Sequence, residues 1–293
     1  DPDEAAFAKD DPRGFLKRFS HGAILDEIQR CPSLFSYLQT HVDQEKHMGQ
    51  FIISGSQNFT LLQQITQSLA GRIGLLTLLP FSYHELQQQH KKNTLHHLLL
   101  AGCYPPLYDR KISAEQWHTN YIATYLERDV RQITNVGDLG LFQRFMKLCA
   151  ARNGQLLNLS NLAQDCGISH VTARAWLSVL EASYVVTLLQ PYFQNFGKRL
   201  VKTPKLYFYD TGLAATLLNI QDEEHLSHHP MRGALFETYV LGELLKKRFN
   251  QGLNNNVYFW RDNTGNEIDF IIDQGKKLIG IEAKATHTIH PEM

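Results

Sequence analysis

The sequence predicts a multidomain α/β protein, and three observations support this fold class. The chain has 293 residues, more than one hydrophobic core usually organises, and 43% of them are hydrophobic against 20% charged, as in globular proteins. Short apolar runs at 23–25 and 51–53 alternate with helical stretches, a pattern typical of a buried parallel sheet. Strand-like segments also follow a strongly amphipathic helix at 235–249. We therefore expect several α/β and helical domains in one chain.

The charge of the chain is balanced overall but uneven along its length. The 29 basic and 29 acidic residues cancel, which excludes a uniformly basic nucleic-acid-binding protein but not a local basic patch. Residues 140–205 hold eight basic side chains against two acidic ones, Asp165 and Glu181. We expect this basic segment to carry any contact with nucleic acid.

Neither a membrane segment nor a cysteine framework is evident. The longest apolar runs, such as 75–81, are too short to span a bilayer, and no signal peptide is recognisable. The four cysteines, Cys31, Cys103, Cys149 and Cys166, show no C-x-x-C spacing, which argues against disulfides and against a zinc site. We therefore expect a cytoplasmic protein that does not contact membranes.

The first candidate site lies where the apolar run 23–25 ends in two acids, Asp26 and Glu27. Nucleotide hydrolysis requires one carboxylate that holds Mg²⁺ and a second that polarises the attacking water, both fixed at the end of a buried strand. We assign the first role to Asp26 and the second to Glu27, although acids at strand ends also occur in solvated loops. Ser54 and Ser56, after the next apolar run, would present polar groups to the phosphate-bound water.

Arg72 is an isolated arginine that follows Ala70 and Gly71. An arginine of this kind can act as an arginine finger on the nucleotide of a neighbouring subunit, which would make the protein a homo-oligomer. The alternative is that Arg72 forms a surface ion pair.

The N-terminal motifs resemble those of a family of bacterial and archaeal AAA+ ATP-binding proteins, in which a phosphate-binding domain precedes a C-terminal domain of unknown function. The resemblance implies ATP as a ligand and extends over about residues 1 to 286. The family's G-x-x-x-x-G-K-[ST] loop is not found in this sequence. Since Asp1 lies 25 residues before Asp26, we expect the phosphate loop to have preceded it, and this chain alone to bind ATP poorly. The segments that carry the resemblance are Ile24–Pro32, Phe51–Leu86, Tyr121–Asp129 and Lys198–Asp210.

Residues 156–190 predict a helix-turn-helix with a following wing. Ser169 is the expected N-cap of the second helix, and His170 and Arg174 share the outer face of that helix. Basic residues follow the predicted wing strands 184–189 and 192–193; they suit phosphates better than bases. We expect non-specific binding of nucleic acid, with protein docking as the alternative. These basic residues are Lys198, Arg199, Lys202 and Lys205.

The second candidate site combines C-terminal carboxylates with a lysine. Asp269 lies in a predicted strand, and Glu282 and Lys284 share one face of the next predicted strand at 278–284, as strand alternation requires. Carboxylates of paired strands can hold divalent metals that activate water for phosphodiester hydrolysis, while a lysine stabilises the developing negative charge. Glu237, on the preceding helix, is a further acid that could approach them.

The spacing D-x12-E-x-K resembles the PD-(D/E)xK motif of restriction-endonuclease-like and Holliday-junction-resolving nucleases. The resemblance implies Mg²⁺ or Mn²⁺ at Asp269 and Glu282, with Glu237 as the helical acid of the metal site. Two alternatives remain open. The side chains could form exposed ion pairs on an edge strand, or the fold could be real but serve as a scaffold.

Together these interpretations divide the chain into four parts. We expect a partial AAA+ P-loop core at 1–95, a helical connector at 96–140, a winged helix-turn-helix at 141–205 and a restriction-endonuclease-like α/β domain at 206–293. The expected function is ATP binding, with ATP hydrolysis in the intact parent protein, coupled to a metal-dependent nuclease-like, DNA-processing domain. The alternative is a non-enzymatic, nucleotide-responsive module that binds DNA or protein and uses the nuclease-like fold for docking.

Overall fold

The structure, a computed structural model, describes residues 2–45, 48–55, 65, 67–89, 93–110, 112–126, 138–192, 202–262 and 264–285. It is a mixed α/β structure with small sheets and many helices. The chain divides into two compact units, Asp1–Leu75 and Leu76–Met293. Each unit has its own buried hydrophobic residues.

The first unit is built on a short parallel sheet. Strands β1 (Ala23–Leu25) and β2 (Phe51–Ile53) pair in parallel as expected, but the pair is not buried on both faces, because Ile24 and Ile52 are 71% and 60% exposed. Parallel pairing places the carboxyl ends of both strands at the same edge of the sheet, next to Asp26 and Ser54. The helices of this unit are α1 (Pro2–Asp10), α2 (Pro12–Lys17) and α3 (Ser33–Gln44).

The N-terminal segment forms two consecutive helices, α1 and α2. Two local features account for this. Asp11 ends the first helix and caps the second by accepting a hydrogen bond from the amide of Gly14 at 2.8 Å. The acids at the start of α1 favour its N-terminus, and one of them, Glu4, pairs with Arg18 at 3.0 Å.

The second unit begins with a largely helical region. Gly102 adopts a positive φ of 74° and ends a helix before Pro105 and Pro106. A π-helical turn at Ile122–Leu126 continues directly from the helix that ends at Tyr121. The helices are α4 (Tyr83–Gln89), α5 (Leu95–Ala101), α6 (Pro106–Asp109), α7 (Ala114–Tyr121) and α8 (Leu139–Ala151).

Two short helices, α9 (Leu159–Cys166) and α10 (His170–Ala182), form a helix-turn-helix arrangement. Gly167 ends α9 in the left-handed conformation, with φ 79°. Ser169 caps α10 as expected, because its side chain accepts a hydrogen bond from the amide of Thr172 at 3.0 Å. The inward positions of both helices are buried, and they are Leu162, Ala163, Ala173, Leu177 and Leu180.

The strands after α10 pair differently from the expected wing. Strand β3 (Val186–Leu189) pairs antiparallel with β4 (Lys205–Phe208), and not with residues 192–193. Tyr192 instead donates its backbone amide to the carbonyl of Phe259 at 2.7 Å, while Phe193 lies outside the described residues. The segment directly after β3 is therefore hydrogen-bonded to the C-terminal sheet, since Phe259 belongs to that sheet.

The C-terminal region packs a long helix with an antiparallel sheet. Helix α11 (Thr211–Leu217) and helix α12 (Glu223–His228) lead to α13 (Arg232–Phe249). Strands β5 (Val257–Arg261), β6 (Glu267–Asp273) and β7 (Leu278–Ile281) follow in the order β5-β6-β7.

Strand β7 ends earlier than expected, at Ile281 and not at residue 284. The amide of Ala283 does not pair with the backbone of β6, because it donates its hydrogen bond to the side chain of Asp269 at 2.8 Å. The backbone ladder between β6 and β7 therefore stops before Glu282 and Lys284.

All four cysteines are buried free thiols. Within the described ranges, no helix has both the length and the apolar character that a membrane span requires.

Candidate nucleotide and carboxylate sites

The ends of β1 and β2 bring Asp26 and Ser54 together. The hydroxyl of Ser54 donates a hydrogen bond to Oδ1 of Asp26 at 2.5 Å, and the amide of Glu27 donates to the same oxygen at 3.1 Å. The two strand ends are tied further by the amide of Ser54, which donates to the carbonyl of Leu25 at 3.0 Å. Ser56 lies outside the described residues. Two of the polar side chains expected at this site are thus in direct contact.

Glu27 adopts the left-handed conformation, with φ 54° and ψ 36°. This conformation costs about 1–2 kcal/mol for a residue with a Cβ atom. Oε2 of Glu27 accepts a hydrogen bond from the side-chain Nε2 of Gln29 at 2.9 Å and lies 3.5 Å from Nε of Arg30. The Glu27 carboxylate is therefore held toward the following turn.

Arg72 forms an ion pair on the surface of the first unit. Its guanidinium donates to both carboxylate oxygens of Asp43, at 2.5 and 3.0 Å. The hydrogen bond from Arg72 holds the pKa of Asp43 below its usual value. A cavity of about 610 Å³ lies beside this pair and is also lined by Phe51 and Ile53 of β2. In this structure Arg72 has the contact of a surface ion pair.

The carboxylates expected near the C-terminus lie in one cluster with residues of β4. We call it the carboxylate cluster. It draws side chains from four places in the second unit: β4, α13, β6 and the segment after β7. Its members are Lys205, Tyr207, Glu237, Glu267, Asp269, Glu282 and Lys284.

Asp269 is the most enclosed carboxylate of the cluster, with 7% of the residue exposed. Its Oδ2 accepts the hydrogen bond from the amide of Ala283. This bond fixes the backbone between Glu282 and Lys284 against β6. Asp269 therefore determines where the E-A-K segment lies.

Glu237 approaches Asp269 from helix α13. Burial raises the pKa of Glu237, and the negative charge of Asp269 raises it further, whereas Lys205 and a hydrogen bond from Tyr207 act in the opposite direction. The hydroxyl of Tyr207 donates that bond to Oε2 of Glu237 at 3.0 Å. Burial and the charge of Glu237 also raise the pKa of Tyr207, so the phenol stays protonated and can donate.

Lys205 lies inside the cluster, although a surface contact with phosphate was expected from the sequence. Only 4% of Lys205 is exposed, its ammonium pairs with Glu267, and it lies 5.4 Å from the ring centroid of Phe259. Glu267 is also 3.3 Å from the guanidinium of Arg261. The buried ammonium offsets part of the negative charge of the cluster.

Sequence reasoning missed Tyr207 and the position of Lys205. A signal was present, because Lys205 and Tyr207 alternate with Leu206 and Phe208 in a strand, and alternate residues share a face. The pattern does not say which face is buried against other acids, so it was not sufficient by itself.

Glu282 and Lys284 lie at the more exposed side of the cluster and form an ion pair at 3.1 Å. The hydrogen bond with Glu282 raises the pKa of Lys284, and the charges of Asp269 and Glu237 add to it despite partial burial. Lys284 is therefore charged and close to three carboxylates.

The donor chemistry of the cluster suits a hard divalent cation. Mg²⁺ is usually held by one or two carboxylates together with the phosphates of a substrate, and Asp269 and Glu282 supply oxygen ligands of this kind. In the part of the chain that the structure describes, no group of three or more His, Cys, Asp or Glu side chains is arranged to hold a metal by itself.

The helix-turn-helix exposes the residues expected on its outer face. His170 and Arg174 are exposed on α10, and Lys202 is exposed before β4. The apolar side chain of Val171 on α10 is exposed as well, at 77%. Lys198 and Arg199 lie outside the described residues.

Three family models match the chain in consecutive segments. Residues 1–87 match an AAA domain, residues 92–224 match a domain of unknown function (DUF8612), and residues 232–293 match another domain of unknown function (DUF4143). Residues 1–87 are thus similar to an AAA domain, and two segments similar to domains of unknown function follow them.

Two curated proteins are similar over almost the whole chain. They are the uncharacterized protein Rv2008c of Mycobacterium tuberculosis and the uncharacterized protein Mb2031c of Mycobacterium bovis. Each is 32% identical over 280 residues, which is 95% of this chain and 62% of the relative. The chain thus spans about 62% of the length of these relatives. No solved structure matches the chain.

Proposed function

We propose that the intact protein is an AAA-type ATP-binding protein whose C-terminal region is a metal-dependent nuclease acting on DNA. The observation that carries the nuclease assignment is the carboxylate cluster, in which Asp269 is bonded to the backbone between Glu282 and Lys284. Side chains that are separate in sequence are thereby brought to one place, and Glu237 lies near enough for the charge of Asp269 to act on it. A surface of independent ion pairs would not require this arrangement.

The residues of the cluster have distinct roles in the proposed reaction. Asp269 and Glu282 would hold Mg²⁺ or Mn²⁺, with Glu237 as the additional acid. When bound, the ion supplies Lewis-acid polarisation and acidifies a water molecule. Lys284 stabilises the negative charge that develops on the phosphate, which for one such donor is worth about 100- to 1000-fold in rate.

Cleavage assays on single-stranded, duplex and branched DNA with Mg²⁺ or Mn²⁺ test this assignment. We expect Asp269→Asn and Glu282→Gln to abolish cleavage and Lys284→Ala to reduce it about 100-fold or more. Asp273→Asn is a matched control, because Asp273 ends the same strand and bonds to the amide of Gly275. Undiminished cleavage by the Glu282 variant would rule out the assignment.

The contact between Asp26 and Ser54 supports the nucleotide site of the first unit. We infer that Asp26 helps to hold Mg²⁺ of bound ATP and that Ser54 orients Asp26 and the attacking water, with Glu27 as the base. Arg72 would leave Asp43 to reach the nucleotide of a neighbouring subunit in a homo-oligomer. In the full-length protein, we expect Glu27→Gln to retain ATP but not hydrolyse it. Steady-state turnover equal to that of the parent would contradict the role of Glu27.

A second candidate function is a DNA- or protein-binding module without catalysis. The ion pairs Lys205–Glu267 and Lys284–Glu282 favour it, because they neutralise carboxylates without a metal. Under this alternative, the exposed residues His170, Arg174 and Lys202 carry the interaction. Measuring affinity for DNA against salt separates the two kinds of partner, since phosphate contacts give a steep dependence on salt. The Arg174→Ala variant should reduce that slope by about one unit.

A further inference from the structure

Glu237 is held by residues that lie far from it in sequence. Its carboxylate accepts the hydrogen bond from Tyr207 on β4. The ring of Tyr207 is fully buried and lies 6.2 Å from that of Phe270 on β6. The phenol therefore has little room to move away from the carboxylate.

The turn after α8 completes these surroundings. Gly154 has φ 79°, and a Cβ atom there would lie 3.3 Å from Cβ of Ala234 and 3.6 Å from Oε2 of Glu237. The amide of Gly154 donates to the carbonyl of Leu206 at 2.7 Å. This turn thus lies directly against the carboxylate and is tied to β4.

Asn153, the residue before this glycine, is fully buried and joins β4 to α13. Its Nδ2 donates to the hydroxyl of Thr238 at 2.7 Å and to the carbonyl of Ala234 at 3.2 Å, and its Oδ1 accepts from the amide of Phe208 at 3.0 Å. Ala234 and Thr238 flank Glu237 on α13. The amide of Asn153 therefore fixes the part of the helix that carries Glu237.

We propose that Tyr207 and Asn153 are positioning residues of the carboxylate site, which hold Glu237 in the carboxylate cluster, so that the site is completed by residues preceding the segment 232–293. The proposal rests on the metal-binding role of the site under the proposed function. Tyr207 fixes the carboxylate itself, and Asn153 fixes the helix beneath it. Neither residue needs to touch substrate or metal.

Binding of Mn²⁺ to the whole chain, followed by electron paramagnetic resonance, tests the proposal without requiring catalysis. We expect Tyr207→Phe to weaken Mn²⁺ binding about 10- to 100-fold, as is usual when a residue that orients a metal ligand is removed. Tyr209→Phe is the matched control, because the ring of Tyr209 contacts Tyr184 and its hydroxyl hydrogen-bonds Thr187, neither of which belongs to the cluster. Melting curves establish that both variants are folded.

A second variant tests the helix contact without removing Asn153. Thr238→Val preserves the shape of the side chain but removes the hydroxyl that accepts from Asn153, and we expect a smaller weakening of about 3- to 10-fold, corresponding to one neutral hydrogen bond. If the protein cleaves DNA, Tyr207→Phe and Thr238→Val should each lower kcat and leave KM nearly unchanged.

The outcomes separate this proposal from the nuclease assignment. If Tyr207→Phe binds Mn²⁺ as tightly as the parent while Asp269→Asn does not bind it, the positioning role is overturned and the metal site stands. If Tyr207→Phe and Thr238→Val both weaken Mn²⁺ binding but the parent cleaves no DNA, the positioning role stands and the nuclease assignment fails. Absence of Mn²⁺ binding by the parent overturns the positioning role.

Discussion

Asp210 is the most heavily engaged buried acid of the helical region. One carboxylate oxygen accepts from the amide of Leu213 at 3.0 Å and the other from the amide of Cys103 at 2.7 Å. Nε2 of the buried His118 lies 3.6 Å away. Burial raises the pKa of Asp210, but His118 and the two amides outweigh it, so the pKa lies below its usual value.

Replacing Asp210 with alanine should therefore be costly. The change leaves two buried amides without an acceptor and His118 without its acidic neighbour, and we expect the free energy of unfolding to fall by about 3–5 kcal/mol. Asp222→Ala is a matched control, since Asp222 caps an exposed helix by accepting from the amide of His225, and should cost about 1 kcal/mol. Urea unfolding measures both. Equal losses would contradict the special role of Asp210.

The contribution of Asp210 to the free energy of unfolding should decrease on acidification. Because its pKa is lower in the folded than in the unfolded protein, its charge stabilises the fold at pH values above the unfolded pKa of about 4. The stabilisation is lost as the pH falls through the lower, folded pKa. We expect the difference in unfolding free energy between parent and Asp210→Ala to shrink as the pH falls below about 4. A difference that grows on acidification would contradict this.

At the scale of the element, helix α10 offers a matched pair of serines. Ser169 caps the helix through the amide of Thr172, whereas Ser178 is exposed in its interior. We expect Ser169→Ala to lower the free energy of unfolding by about 1 kcal/mol because an orphan amide loses its acceptor. Ser178→Ala should leave stability unchanged or slightly raise it. Similar effects of the two changes in denaturant unfolding would argue against the cap.

Elements set by local sequence were predicted well. The apolar runs of β1 and β2 and the N-cap at Ser169 could be read directly, because hydrophobic periodicity and capping residues act over a few residues. The pairing of strands that lie far apart in sequence could not be predicted in this way. The partner of β3 is Lys205–Phe208, and nothing near residue 189 identifies it.

The same limit applies to the candidate sites. The pairing of β1 and β2 makes the contact of Asp26 with Ser54 predictable from the strand ends. Lys205 was counted among basic residues on the surface, since charge alone does not reveal burial. Its location next to Glu267 depends on a contact between residues 62 positions apart, which requires the fold.

At the scale of the whole molecule, the two units have separate cores. Phe35 in α3 belongs to the core of the first unit and Phe142 in α8 to a core of the second, and each is at most 1% exposed. We expect calorimetry to resolve two unfolding transitions. Phe35→Ala should lower the free energy of unfolding of the first unit, and Phe142→Ala that of the second, each by about 3–5 kcal/mol. If either change shifts both transitions equally, the units do not unfold independently.

The hydrogen bonds of the buried Asn153 side chain also bear on how the two matched segments evolved. Its partners on α13 lie in the segment matched by one family model, while Asn153 lies in the segment matched by another. Exchanging only one of these segments between distant relatives would pair an amide with a helix that did not evolve beside it. We therefore expect the two segments to have been transmitted as a single genetic module, and chimeras divided between them to be recovered in low yield.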